Sequence, residues 1–196
     1  MAPEHLVTTA DEAVRAAATI GYPVVAKLCG AGIAHKTERG LVRLGLGDDA
    51  AVLGAATALL AAARPEDGEV ALLISPMVRG TRELIAGCVD DPTFGHCVML
   101  GIGGVLAEAI GDVAFRLVPL TRVDAADMVT DLRHRRLLDA FRGEPAVDRE
   151  RLVDVLVGLS ELVQSDSRIV SIDVNPLIVC DGVPTAVDAL IEVRES

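Results

Sequence analysis

The residues best placed to do chemistry lie towards the two ends of the chain. Near the start, Lys27 sits inside the apolar run 24–28, and a glycine-containing loop, 29–40, carries His35 and Lys36 side by side. An ammonium group among Val24, Val25, Ala26 and Leu28 is costly to bury unless an anion compensates it. Two readings stand: Lys27 holds an anionic ligand, or its tip snorkels to water. The His35 imidazole is a nucleophile able to accept a phosphoryl group near neutral pH, or an ordinary loop histidine. The loop reads G-A-G-I-A-H-K-T from Gly30 to Thr37, one residue from a P-loop. His35 replaces the glycine that lets backbone N–H groups close on phosphates, and a strand rather than a helix follows, so the P-loop is rejected. The dinucleotide fingerprint G-x-G-x-x-G fails in the same place.

At the other end, Asp181-Gly182 is a two-residue hairpin turn between apolar runs. With those two residues as the loop, Cys180 pairs with Val183, and counting back places Asn175 opposite Asp188. Directly opposed residues share a face, and Asp173, two positions before Asn175, shares it too. Three oxygen-bearing side chains then converge, a set suited to a hard cation such as Mg²⁺ shared with substrate phosphates. The competing reading is a solvated polar hairpin face. Pro176 and Pro184 bear on the choice, because a slip of one residue would separate the pair.

The elements that must position these groups are set by composition. The chain has 196 residues, 51% hydrophobic and 24% charged, enough for one ordinary domain or two small lobes. Aromatic residues make up only 2%, which excludes a protein that stacks bases on aromatic platforms. The net charge of −11 removes the positive field that draws nucleic acid or an anionic membrane, although a local pocket can still hold a nucleotide. Cys29, Cys88, Cys97 and Cys180 show no CxxC spacing, so free thiols in a reducing compartment are expected. Neither a signal peptide nor a membrane-spanning run is visible, and the expectation is a soluble cytoplasmic protein.

Helix-like and strand-like patterns alternate without a long linker or a repeat. Thr9 and Glu12 stand at capping-box spacing and open a helix over 11–20, which Gly21 and Pro23 close. Strands are expected at 24–28, 41–46 and 70–74, with an Ala-rich helix at 48–63. Beyond Ser75-Pro76 the pattern turns β-rich, with strands at 84–89, 97–100 and 115–119, helices at 124–132 and 148–164, and strands over 169–193. A lobe boundary is placed there, giving 1–75 and 76–196. The regular strand–helix alternation of a doubly wound parallel sheet is missing, so the fold class is α+β.

At these residues the sequence resembles the ATP-grasp domain of the NDP-forming acyl-CoA synthetases. The family includes the ADP-forming acetate–CoA ligases and is related to the succinyl-CoA synthetase β subunit. The stretches that carry the resemblance are GYPVVAKL at 21–28, HKTERGLVRLGL at 35–46 and ISPMVRGTRELIAGCVDDPTFG at 74–95. GIGGVLAEAIGDVAFRLVPL at 101–120, and IDVNPLIV with AVDA towards the end, complete it in family order. The resemblance implies two α+β lobes with a nucleotide cleft between them. It implies that Lys27 meets nucleotide phosphates, that the backbone of Ser75, Met77 and Val78 meets adenine, and that Glu83 lines the nucleotide pocket. Arg116 is a weaker candidate for the γ-phosphate, Asn175 and Asp188 match Mg²⁺ ligands, and His35 matches a phosphoryl relay. Ser75 departs from the acidic residue often found at its position. The implied cofactors are ATP or ADP with Mg²⁺, and the implied partner is a CoA-binding subunit or domain. The competing expectation is a degenerate ATP-grasp module acting as a nucleotide sensor or scaffold.

Overall fold

The computed structural model describes residues 3–33, 36–104 and 110–194. The chain divides into two compact units, Met1–Met77 and Val78–Ser196. Each has its own hydrophobic core.

The first unit is built from β1 (His5–Val7), α1 (Ala10–Ile20), β2 (Val24–Gly30), β3 (Val42–Leu46), α2 (Asp49–Ala61) and β4 (Val70–Pro76). The capping box is formed: the Thr9 hydroxyl accepts from the Glu12 N–H, and the Glu12 carboxylate accepts from the Thr9 N–H. Gly21, at φ 92°, takes the chain out of α1 in a conformation side chains disfavour. Asp48 caps α2 by accepting from the Ala51 N–H at 2.8 Å. The strands form an antiparallel sheet in the order β1-β4-β2-β3. Small residues on the helices, Ala13, Ala17 and Ala56, bury against Val24, Ala26, Leu28, Leu72 and Ile74 on one face of that sheet. Strand β1 was not foreseen, because three residues are too few to show alternation.

The second unit contains β5 (Arg82–Asp91), β6 (Gly95–Ile102), β7 (Val113–Leu117), α3 (Arg122–Asp131), α4 (Arg149–Ser165), β8 (Ile169–Cys180), β9 (Val183–Ala186) and β10 (Leu190–Val193). Its antiparallel sheet runs β10-β8-β5-β6-β7, and β9 also pairs with β8. α3 begins at Arg122 rather than Asp124. Thr121 is the N-cap, and Asp124 is the third helical residue, returning its carboxylate to the Thr121 N–H. Leu152, Leu156, Leu159 and Val163 of α4 stand at helical spacing and are buried with Leu84, Leu100, Ile172 and Leu177 of the sheet. Both helices therefore cover one face, and the other face of the sheet is left for other work.

Candidate functional site

In the first unit, Val24, Ala26 and Leu28 belong to the helix-packed core. Strand alternation turns Val25, Lys27 and Cys29 to the opposite face. Lys27 lies opposite Val42 on one side and Leu73 on the other, and Ser75 lies opposite Val25. Lys27 and Ser75 thus share a face one strand step apart, and both are buried. The Met77 N–H donates to the Pro23 carbonyl at 3.0 Å, so the strand pairing continues to the end of the unit. Pro76 has no N–H, and the Met77 N–H is already committed within the fold. His35 lies outside the described residues.

In the second unit the register of the C-terminal hairpin decides the geometry. Cys180 pairs with Val183, Val179 with Pro184 and Leu177 with Ala186, as a two-residue Asp181-Gly182 turn requires. The Val187 N–H donates to the Pro176 carbonyl at 3.2 Å. Further along, Asp173 pairs with Leu190, Ile172 with Ile191 and Ser171 with Glu192. The same register holds on both sides of the gap, and counting through it brings Asn175 level with Asp188.

On its other side β8 pairs with β5, with a shift between Leu84 and Ala86: Leu84 faces Leu177, whereas Ala86 faces Val174. Asn175 and Pro176 together therefore oppose the single residue Ile85, which is a β-bulge. The extra residue has a clear use. It lets Ile172 and Val174 point into the core before it and Leu177 and Val179 after it. Asp173 and Asn175 meanwhile remain exposed on the open face. An uninterrupted strand would turn either the asparagine inward or Leu177 outward.

The open face is ordered in rows across the strands. One row runs Glu192, Ser171, Val89, Cys97, Leu117, and the next runs Leu190, Asp173, Gly87, Met99, Phe115. A third continues from Ile85 to Gly101 and Val113. Nine positions on β5, β6 and β7 are thus all apolar, with Phe115 and Leu117 52% and 53% exposed. The β8–β10 side carries the oxygens Ser171, Asp173 and Glu192, and the Ser171 hydroxyl donates to Glu192 at 2.6 Å. An apolar floor beside an oxygen-rich strip matches the two ends of a nucleotide, a planar base and a cation-bound phosphate chain.

Glu83 lies opposite Ile178, on the same open face at the start of β5. It lines a cavity of about 250 Å³ with Thr81, Arg82, Gly103 and the core residues Leu84, Ile102 and Leu138. Its neighbour Arg82 lines the same cavity and donates to the carbonyls of Leu137, Asp139 and Pro145 and to the Glu144 carboxylate. That fork fixes the first residues of β5. A larger depression of about 460 Å³, along β1 and α1, contains none of the candidate residues.

Arg116 is not brought to this face. It pairs with Val98, a core residue, and its guanidinium donates to Asp131 of α3 at 2.5 Å. The strand parity that exposes Phe115 and Leu117 turns Arg116 to the helix side. Among the described residues no group of three or more His, Cys, Asp or Glu side chains forms a metal cage. An open set of an amide, carboxylates and substrate oxygens is what Mg²⁺ uses with phosphates, so Asn175, Asp188 and Asp173 fit that ion.

Sequence reasoning missed the apolar rows and the half-buried Arg39–Asp67 pair. The rows had a signal in Gly87 and Gly101 inside strands, where glycine marks a close backbone approach. Asp67 had none, because P-E-D-G reads as a solvated turn.

This is the architecture of a nucleotide-dependent ligase domain, and the chain belongs to the ATP-grasp domain family, whose model matches residues 1–193. Within that family it is similar to the beta subunit of acetate–CoA ligase [ADP-forming] II from Pyrococcus furiosus. The two are 38% identical over 180 residues, 90% of this chain and 76% of that subunit. Its fold matches the dinucleotide-forming acetyl-coenzyme A synthetase 1 of Ca. Korarchaeum cryptofilum in complex with coenzyme A, Ca-AMPCP and HgCl+. There the TM-score is 0.89 at 31% identity, over 99% of this chain and 86% of that one. Another structure of that synthetase holds coenzyme A and Mg-AMPPCP, with its phosphohistidine segment pointing towards the nucleotide-binding site. It matches with a TM-score of 0.82 at 32% identity, over 99% and 85% of the two chains.

Proposed function

We propose that this chain is the nucleotide-binding part of an ADP-forming acyl-CoA ligase. It binds ATP with Mg²⁺ and passes a phosphoryl group between the nucleotide and His35, and a CoA-binding subunit or domain completes the reaction. The observation that supports this reading is the hairpin register, the same on both sides of the gap, which if continued across it brings Asn175 level with Asp188. Likeness to acetate–CoA ligase beta subunits over most of the chain supports the same assignment. Four cysteines without a disulfide suit a reducing cytoplasm.

Lys27 offsets charge on the phosphate chain, and its burial strengthens that interaction. The apolar rows and Glu83 receive the base and sugar. Asn175 and Asp188, with Asp173 beside them, would hold Mg²⁺, which supplies charge neutralisation at the phosphates when bound. An imidazole nitrogen of His35 forms a bond to the γ-phosphorus. The bond from that phosphorus to the β,γ-bridging oxygen breaks, and ADP leaves with the electron pair. The proton on the other ring nitrogen is free to pass to solvent. Transfer onward from His35 regenerates the imidazole.

Calorimetric titration with ATP, in Mg²⁺ and then in EDTA, tests the reading on the wild-type chain and on Asp188→Asn. The expected result is micromolar, Mg²⁺-dependent binding, with Asp188→Asn weakening MgATP about tenfold more than metal-free ATP. Equal weakening of both removes the metal assignment. Absence of ATP binding by the wild-type chain overturns the nucleotide role.

A further inference from the structure

Asp67 holds the loop between β2 and β3 from outside at two points. Asp67 is completely buried in the short 3₁₀ turn Pro65–Asp67 that precedes β4. Its carboxylate accepts two parallel bonds from the Arg39 guanidinium, at 2.6 and 2.9 Å, and a third from the Arg64 N–H at 2.8 Å. Its backbone carbonyl accepts from the Gly32 N–H at 3.2 Å. Asp67 therefore grips the loop at residue 32 through its main chain and at residue 39 through its side chain.

The packing at the first grip is tight. A Cβ on Gly32 would lie 2.2 Å from the Glu66 carbonyl oxygen, and one on Gly30 would lie 2.8 Å from the Asp67 carbonyl oxygen. The 36–41 end is closed by the Leu41 N–H on the Lys36 carbonyl at 2.8 Å and the Gly40 N–H on the Thr37 carbonyl at 3.0 Å. Leu41 in turn accepts from the Leu28 N–H, one residue past Lys27. A bidentate Arg–carboxylate pair fixes orientation as well as distance, which a lysine or a single hydrogen bond does not.

We infer that Asp67 and Arg39 are positioning residues for phosphoryl transfer, acting on His35 through the loop that they clamp on both sides of it. The inference rests on the proposed function for the role of His35, and on the geometry above for the clamp. Holding a nucleophile near its attack geometry is worth orders of magnitude in rate, and a displacement of about 1 Å costs about 100-fold. Nucleotide affinity, by contrast, is assigned above to residues other than Asp67, Arg39 and His35.

The test measures phosphohistidine formed from γ-labelled ATP at saturating MgATP, beside the dissociation constant for MgATP. Asp67→Asn is expected to lower the labelling rate by about 10- to 100-fold with binding changed less than about twofold. Arg39→Lys should keep part of the rate that Arg39→Gln loses, and Arg39→Gln combined with Asp67→Asn supplies an uncharged pair of similar shape whose fold is checked by its α1 and α2 protection. Amide hydrogen exchange over 36–41 should quicken in Asp67→Asn while α1 and α2 stay protected. Unchanged labelling overturns the inference, and so does a loss of labelling and MgATP binding in the same proportion, which would make the pair merely structural. A wild-type chain that binds MgATP but takes no label refutes the relay function of His35 instead, and unchanged loop exchange in Asp67→Asn then refutes the clamp separately.

Discussion

At the scale of single residues, the charges that matter are those whose surroundings favour one protonation state. Asp67 has an ordinary carboxyl pKa of 3.8 when the chain is unfolded, and the Arg39 hydrogen bonds hold it down to about 2 in the fold, against its burial and with help from the Arg64 N–H. The folded state binds the proton more weakly than the unfolded state. The contribution to stability is therefore complete above about pH 4 and fades as pH falls from there towards 2. Asp166, also held at about 2 by Arg168, is common to wild type and variant and cancels between them. The expected result is a melting-temperature difference between wild type and Asp67→Asn that is constant from pH 7 to pH 5 and shrinks below pH 4. Thermal melts across that range check it, and a gap undiminished at pH 2 would sink the assignment. Lys27 was legible in the sequence as a charge inside an apolar strand, whereas Asp67 was not. Its partner Arg39 is 28 positions away, and no local pattern joins them.

At the scale of elements, glycines separate what is packed from what is merely turned. Gly87 of β5 faces Asp173 of β8, and a Cβ there would lie 2.4 Å from the Ile172 carbonyl oxygen. Gly158 lies in the middle of α4, with nothing within 4 Å of the same position. Gly87→Ala should push β5 from β8 and destabilise by about 1–3 kcal/mol, while Gly158→Ala should stabilise by about 0.5–1 kcal/mol through lost chain entropy. Denaturant titration of both variants reads the two signs, and a neutral Gly87→Ala would show that the two strands are not pressed together as described. The hairpin was read correctly because Asp181-Gly182 determines its own register. Helix starts were legible where a cap and its return carboxylate stood three apart, although α3 was expected to begin at Asp124, which is its third residue. Strand β7 was expected at 115–119 and lies at Val113–Leu117, since its length is set by pairing with β6 rather than by its own pattern. The bulge at Asn175-Pro176 could not be seen from one strand alone, because a bulge is a relation between two.

At the scale of the whole molecule, the net charge of −11 opposes the approach of a polyanion such as ATP. On the function proposed above, binding would come from groups that act at short range, such as Lys27, the backbone and a cation at the β8 oxygens. The two contributions separate with ionic strength. The Debye length is about 30 Å at 0.01 M salt and about 8 Å at 0.15 M, so the field of the entire chain is felt at the lower concentration and only nearby charges at the higher. A protein that attracts nucleotide by a basic surface loses association rate as salt rises. For this chain the order is reversed: the association rate constant for MgATP should rise severalfold between 0.01 and 0.15 M salt, because screening removes a repulsion larger in range than the attraction. The dissociation rate, governed by contacts shorter than either length, should change little. Stopped-flow binding at fixed free Mg²⁺ measures both constants. A rate that falls with salt would mean that local cations dominate the field well beyond contact distance, and the acidic surface would then carry no weight in how the nucleotide arrives.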